Sequence, residues 1–322
     1  MPIEFTHVPD AYRRNDVQTA GSFFQDVSSL APRLASIENA GFHNVLIDDA
    51  AGMLANMDLA AFVAERSNSI GIVLTHSAGL IAPGVAARQL AALDSVSGGR
   101  LSLRMLADPS GADDASNPLP LHSARWRRMD EYLVLLKRLW LNERPIDHEG
   151  NYYSLRQCYV AEKGPRGAAI PIRVAGLSGT ALKVAGRHAD IFELAPGTID
   201  EVRLLIERVK AAAREFGREN KIRFALPVRL VPGKDDAGRT AEGDALTIAV
   251  SESPAQLAVS LLPYAELGVS ELMIAGEADI GAVGGATREL IRNSLRRRFP
   301  AEGVDVSQAA RLGRSKPYLY RA

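Results

Sequence analysis

The sequence predicts a (β/α)8, or TIM, barrel, in which a ring of parallel strands is surrounded by helices. Short apolar or β-branched segments alternate with longer segments of helical periodicity, and the alternation occurs eight times in 322 residues. Strand-then-helix units imply parallel strands joined by right-handed crossovers, and eight of them close without leaving an edge. An open doubly wound sheet is the alternative. It would usually carry a glycine-rich turn after its first strand, where this chain has His7-Val8-Pro9-Asp10.

The predicted strands are short and rich in Val, Ile and Leu. They cover Ile3–His7, Asn44–Ile47, Ile70–Thr75, Leu101–Leu106, Pro171–Ala175, Asp190–Leu194, Ile222–Val231 and Glu271–Ala275. The helices are predicted at about Val27–Ala40, Asp58–Ser67, Pro83–Val96, Ser123–Leu141, Thr180–Arg187, Ile199–Phe216, Pro254–Leu267 and Ala286–Arg297. The fourth helix is the clearest, since it carries an apolar stripe at helical spacing: Met129, Leu133, Leu136 and Trp140.

Two segments lie outside this alternation. The polar range Asp108–Pro120 predicts a long loop after the fourth strand, either a lid or a disordered segment. Residues from about 299 to 322 predict a basic C-terminal extension that docks on a partner subunit or is simply solvated. We therefore expect a single domain over residues 1–322, assembled as a homodimer or homotetramer.

Composition narrows the class of protein. Hydrophobic residues make up 47% of the chain, which suffices for a sizeable core, and 38 basic residues balance 38 acidic ones, so we expect no nucleic-acid partner. The single cysteine, Cys158, excludes an internal disulfide and a thiolate metal cluster. No signal peptide and no membrane-spanning run is recognisable, so a cytoplasmic protein without a membrane partner is expected.

A barrel of this kind brings the residues that follow each strand to one mouth. These residues include His7, Asp48, Asp49, Thr75, His76, Glu193 and Arg229. They form no tight cluster of His, Asp and Glu, so no metal site is predicted. His7 could act as an acid, a base or a donor, although an isolated histidine is more often structural. Arg229, within an apolar strand, needs an anionic or carbonyl partner, either on a ligand or as a structural carboxylate.

The mouth also contains a candidate anion site at Gly176-Leu177-Ser178-Gly179-Thr180. Glycines and a helix N-terminus favour a phosphate, and Ser178 could donate to it, although a simple helix cap is the more frequent role. His122 and Trp126, four residues apart, share one helix face that could meet a ligand. The alternative for this pair is a surface histidine and a packing tryptophan.

Several segments together resemble the luciferase-like family of flavin-dependent monooxygenases, most closely its alkanesulfonate monooxygenase branch. The similarity extends from about Ile3 to Ala275. Ile81–Leu101 is similar to the family's third helix and its SxGRL segment, and His122–Glu131 resembles its HxxRYxxxxEF helix start. Ala175–Ser178 resembles its GGSS phosphate loop, and Ser253–Ile274 resembles its SPEQVAxxLxxYxxLGVxxFIL ending.

The resemblance implies a monooxygenase that uses O2 and reduced FMN supplied by a separate NAD(P)H-dependent flavin reductase. The resemblance also implies which residues contact the flavin, because these positions match the family's flavin contacts: Asp49, Thr75, His122, Trp126, Gly176, Leu177 and Ser178. It implies that His7 and Arg229 lie at the substrate end of the site, and these two are the predicted catalytic residues.

Several positions depart from that branch. Trp126 replaces its usual Tyr, Met53 replaces a Cys, and Pro227 and Arg229 replace Arg and His. The range Pro232–Val250 is much shorter than the branch's mobile lid. These departures argue against a plain alkanesulfonate oxidase, while Arg229 keeps an anionic substrate open. A deazaflavin-dependent oxidoreductase and a family member that binds flavin without turnover are the alternatives.

Overall fold

The computed structural model describes residues 3–9, 27–48, 56–107, 122–232, 240–242, 245–250 and 254–275. The strands are β1 (Glu4–His7), β2 (Asn44–Ile47), β3 (Gly71–Ser77), β4 (Leu101–Leu106), β5 (Ile146–Glu149), β6 (Ser154–Cys158), β7 (Ile172–Ala175), β8 (Ile191–Glu193), β9 (Arg223–Pro232), β10 (Thr240–Glu242), β11 (Ala245–Val250) and β12 (Val269–Ala275). The helices are α1 (Val27–Asn39), α2 (Asn56–Arg66), α3 (Pro83–Val96), α4 (His122–Leu141), α5 (Gly179–His188), α6 (Ile199–Arg214) and α7 (Pro254–Glu266).

Eight parallel strands close into a barrel, which confirms the predicted fold. Their order around the ring is β12, β1, β2, β3, β4, β7, β8 and β9, and the pairing of β9 with both β8 and β12 closes it. These are the eight predicted strands, and no end differs by more than two residues. The predicted loop at Asp108–Pro120, the helix at Ala286–Arg297 and the C-terminal extension lie outside the described residues.

Two strand pairs were not predicted. β5 and β6 form an antiparallel hairpin between α4 and β7, and β10 and β11 form a second one after β9. β11 also pairs in parallel with the C-terminal half of β9. It lies on the same edge of β9 that pairs with β8 in the N-terminal half. The first hairpin escaped prediction because β6 is largely exposed and lacks an apolar run. The segment Pro232–Val250, interpreted as a shortened lid, is therefore partly sheet.

Most of the core lies between the outer face of the barrel and its helices. The predicted stripe of α4 is buried throughout, from Met129 to Trp140, and no member is more than 2% exposed. The Trp140 indole donates to the Ala87 carbonyl at 2.9 Å, which fixes α4 against α3. Burying such side chains contributes roughly 1.5–3 kcal/mol each.

The barrel interior begins, at its amino-terminal end, with a buried polar row. Arg173 on β7 donates to Glu271 on β12 at 2.7 Å, and the two side chains are 2% and 1% exposed. Thr6 also bonds to Glu271, and Ser102 accepts from Arg173 at 3.3 Å. Because β7 and β12 are not neighbours in the ring, this pair crosses the lumen. Above it lies an apolar layer: Val8, Leu46, Val73, Ile191, Ala225, Met273 and Ala275.

Candidate active site

A charged row lies in the lumen beyond the apolar layer. Arg104 of β4 donates through Nε to Glu193 of β8 at 2.8 Å, and its guanidinium lies 3.8 Å from a carboxylate oxygen of Asp48, just after β2. The three residues come from alternate strands, the pattern by which barrel interiors are layered. Side-chain exposure rises from 3% at Glu193 to 15% at Arg104 and 31% at Asp48. The row therefore opens toward the mouth.

Thr75 belongs to the same row. It is the register partner of Arg104, and it lies one residue beyond the pairing of Leu74 with Ile47, which precedes Asp48. Its backbone carbonyl accepts a hydrogen bond from Asn56 at 2.6 Å. The Thr75 side chain is 1% exposed, so this predicted flavin contact lies on the floor of the mouth and not at its rim.

The predicted phosphate loop follows β7 and starts α5. Ser178 is the N-cap of α5, and its Oγ accepts a hydrogen bond from the Ala181 amide at 3.2 Å. The first intrahelical bond runs from Leu182 to the Ser178 carbonyl, which leaves the amides of Gly179 and Thr180 at the open end of the helix. Capping uses only one acceptor lone pair of the hydroxyl, so its proton remains available to an anion.

Two glycines shape this loop. Gly176 has φ +138°, and a Cβ there would lie 2.8 Å from the Ala181 Cβ and 2.9 Å from the Trp126 ring. A Cβ at Gly179 would meet nothing within 4 Å. The backbone is therefore packed tightly on its inner side and open in front of the helix N-terminus. Leu177, between them, is 53% exposed.

Trp126 lies beneath the loop. It is 7% exposed and packs against Gly176, so the structure brings these two predicted residues together. His122 is the first residue of α4, one turn before Trp126, and shares its helix face. The structure describes the His122 backbone but not its side-chain environment.

The sequence interpretation missed Arg208 of α6. Its guanidinium donates to the Leu177 carbonyl at 3.1 Å, which brings a positive charge to the loop. The pattern around Arg208 is that of an ordinary solvent-facing helix side. Only the packing of α5 against α6 reveals its position.

Arg229 lies on the lumen face of β9, since Ala225, four residues earlier, belongs to the inner apolar layer. It is half-buried, and its register partners are Ala275 on β12 and Thr247 on β11. Pro227, two residues before it, lies on the same face. No salt bridge joins Arg229 to any carboxylate in the part of the chain that the structure describes.

His7 and His76 face the helices and not the lumen. The His7 ring packs edge-on against Phe42, on the opposite face of β1 from Thr6. The His76 Nε2 lies 2.7 Å from the Tyr132 hydroxyl of α4. Burial lowers the pKa of each imidazole to about 4, with Arg33 contributing at His7. The catalytic role of His7 stays a prediction, and this orientation gives it no support.

Asp49 and Met53 lie outside the described residues. Within the described ranges, no group of three or more His, Cys, Asp or Glu side chains is arranged to hold a metal ion. In the same ranges, no helix is long and apolar enough to span a membrane.

Comparison with known proteins identifies the family. The sequence profile of the luciferase-like monooxygenases matches residues 8–278. The chain belongs to this family. It is 28% identical over 245 residues to a sulfoquinovose monooxygenase of Novosphingobium aromaticivorans (73% of this chain, 62% of that protein). It is 24% identical over 258 residues to a dibenzothiophene-sulfone monooxygenase of Rhodococcus erythropolis (66% and 56%). The matches thus span less than two thirds of these relatives.

Solved structures share the fold. A long-chain alkane monooxygenase superposes with a TM-score of 0.76 at 14% identity, covering 93% of this chain and 92% of that one. A coenzyme F420-dependent tetrahydromethanopterin reductase from Methanopyrus kandleri gives a TM-score of 0.71 at 16% identity, covering 91% and 99%. At these identities the likeness concerns the barrel alone. Membership of the family supports a monooxygenase role, and the cofactor and substrate are matters for proposal.

Proposed function

We propose that this protein is a two-component monooxygenase that binds reduced FMN and uses O2 to oxidise a small organosulfur substrate. A separate NAD(P)H-dependent reductase would supply the flavin. The observation that carries the proposal is the open N-terminus of α5 at the barrel mouth, behind which Gly176 packs tightly on Trp126. The names of the two relatives, which denote a sulfonated sugar and a sulfone, support the organosulfur class.

The loop fits the phosphate of FMN. The Gly179 and Thr180 amides and the Ser178 hydroxyl can donate to a dianion, and the helix dipole favours negative charge there. Arg208 adds a positive charge from α6 through its contact with Leu177. Each hydrogen bond to a charged group contributes about 1.5–3 kcal/mol, so the phosphate should matter strongly for affinity.

The remaining mouth residues would bind and orient the reactants. Reduced flavin supplies the oxygen-activating chemistry when it is bound, and the protein's part is to position it and exclude water. Trp126 would support the flavin beside the loop. Arg229, on the lumen face of β9, would bind an anionic substrate group.

A deazaflavin-dependent oxidoreductase is the second candidate, because F420-dependent enzymes share this barrel. An anaerobic titration with reduced FMN, reduced riboflavin and reduced F420 separates the two. We expect saturable binding of FMN, at least ~150-fold tighter than that of riboflavin, because the phosphate accepts several hydrogen bonds of this strength. The absence of saturable FMN binding would contradict the proposal, and saturable binding of F420 alone would favour the second candidate.

Oxygen consumption with an added flavin reductase then tests for turnover. Substrate-dependent O2 uptake supports the monooxygenase. Tight FMN binding without product from any organosulfur compound would instead indicate a family member that binds flavin without turnover.

A further inference from the structure

Two buried polar atoms at the floor of the barrel mouth lack hydrogen-bond partners among the residues that the structure describes. Glu193 is 4% exposed and Thr75 is 1% exposed. Neither the Glu193 Oε1 nor the Thr75 Oγ1 has a hydrogen-bond partner among the described residues. Leaving such an atom buried and unsatisfied costs about 1–3 kcal/mol, and native proteins rarely tolerate it without a ligand or water.

The two atoms belong to one charged row. The other carboxylate oxygen of Glu193 is held by Arg104 at 2.8 Å, which fixes the direction of the carboxylate. Thr75 is the register partner of Arg104 on the adjacent strand, and Asp48 lies 3.8 Å from the same guanidinium. The row thus contains two carboxylates and one guanidinium, and the remaining oxygen of the Glu193 carboxylate can only accept a hydrogen bond.

We propose that Glu193 and Thr75 form a substrate subsite that binds a hydroxyl or N–H group. A carboxylate oxygen can only accept, so the ligand group that meets Glu193 must donate. The Thr75 hydroxyl can accept or donate a hydrogen bond. The preferred substrate therefore carries at least one hydroxyl, amine or amide, and a simple alkyl chain fits poorly. The inference rests on the proposed function for the identity of the ligand as substrate.

The position of Arg229 indicates how long such a substrate would be. Glu193 pairs in register with Ala225, and Arg229 lies four residues further along the same strand. That separates the two Cα atoms of β9 by about 13 Å. A small molecule with a donor group at one end and an anion at the other would match this spacing.

The test uses paired ligands that differ only in one hydroxyl. Alkane-1-sulfonates of three to eight carbons and their ω-hydroxy analogues are titrated calorimetrically into the full-length protein, with and without FMN. A site built around a hydrogen bond rejects the analogue that lacks it, so we expect ~10–100-fold tighter binding of the hydroxylated partner at the best-fitting length. Equal affinity within every pair would overturn the proposal.

Substitutions at the two residues test whether they cause the preference for the hydroxylated ligand. Thr75→Val and Glu193→Gln are close to isosteric and should each reduce the selectivity for the hydroxylated ligand by ~10-fold, whereas Thr75→Ser should retain it. The matched control is Ser102→Ala, which removes a buried hydroxyl from the polar row at the amino-terminal end of the barrel. In the wild type this hydroxyl donates a hydrogen bond to the Ile72 carbonyl. If Glu193→Gln fails to fold, the Thr75 variants suffice. Unchanged selectivity in Thr75→Val, or an equal loss in Ser102→Ala, would overturn the assignment.

Titration of the wild type and the variants with reduced FMN distinguishes a failure of the substrate subsite from a failure of the proposed function. If the variants weaken reduced FMN and leave ligand selectivity unchanged, the donor is the flavin ring and the substrate subsite is wrong. If the wild type binds no flavin but still prefers the hydroxylated ligand, the subsite stands and the proposed function fails.

Discussion

Replacing Gly176 with alanine tests the phosphate loop most sharply. The residue has φ +138°, a conformation that costs a side chain of order 1–3 kcal/mol. The new Cβ would also lie 2.8 Å from Ala181 and 2.9 Å from the Trp126 ring. Ala181 carries the amide that Ser178 caps, and Trp126 is buried, so neither can yield without displacing the start of α5.

The displacement should weaken FMN binding by about 1.5–3 kcal/mol, the loss of one hydrogen bond to the phosphate, which corresponds to ~10–150-fold. The assay is an anaerobic titration with reduced FMN and reduced riboflavin, since only FMN carries the phosphate. The affinity for FMN should fall toward that for riboflavin, while riboflavin binding changes little.

Gly217→Ala provides the matched control. Gly217 also has positive φ, +63°, but a Cβ there meets nothing within 4 Å, and it follows α6 away from the loop. Both variants should lose stability in urea, and only Gly176→Ala should lose FMN affinity. Unchanged FMN affinity in Gly176→Ala, or an equal loss in Gly217→Ala, would refute the reasoning.

Further predictions concern the cap, the loop charge, the barrel interior and pH. Ser178→Ala should lose both the cap and about 1.5–3 kcal/mol of FMN binding, whereas Ser178→Asp should keep the cap and still repel the phosphate in titrations. Arg208→Gln should lower FMN affinity by only ~2–5-fold, because an exposed charge is screened. Arg173→Met should cost about 3–5 kcal/mol in urea unfolding by leaving Glu271 uncompensated, and adding Glu271→Leu should recover most of it. Burial lowers the pKa of His76 to about 4, against 6.5 when unfolded, so the unfolded state binds more protons between these values and the free energy of unfolding decreases as the pH is lowered. Urea unfolding at pH 7 and pH 5 should show that His76→Gln removes about 2 kcal/mol of this loss.

The barrel could be predicted because its strands are local apolar runs. Ile172–Ala175 and residues 223–230 are buried on both faces or nearly so, and such runs stand out in the sequence. The hairpin of β5 and β6 could not be predicted in this way. Its strands are largely exposed, and the Glu131 carboxylate accepts from the amides of Asn151, Tyr152 and Tyr153 at its turn.

The candidate site was predicted in part. The phosphate loop follows from glycines and a cap at a strand end, features that are local in sequence. The contact of Arg208 with Leu177 and that of Arg104 with Glu193 join residues 31 and 89 positions apart, which no spacing encodes. His7 follows a strand as predicted, yet the alternation of side chains directs its ring to Phe42. The end of a strand fixes the position of a residue along the barrel axis. It does not show whether the side chain faces the lumen or the surrounding helices.

A crystal structure of the protein soaked with FMN would test the central claim most directly. The account predicts the phosphate within hydrogen-bond distance of the Gly179 and Thr180 amides and the Ser178 Oγ, with the flavin beside Trp126 in the barrel mouth. A phosphate bound elsewhere, or a flavin outside the barrel mouth, would contradict it.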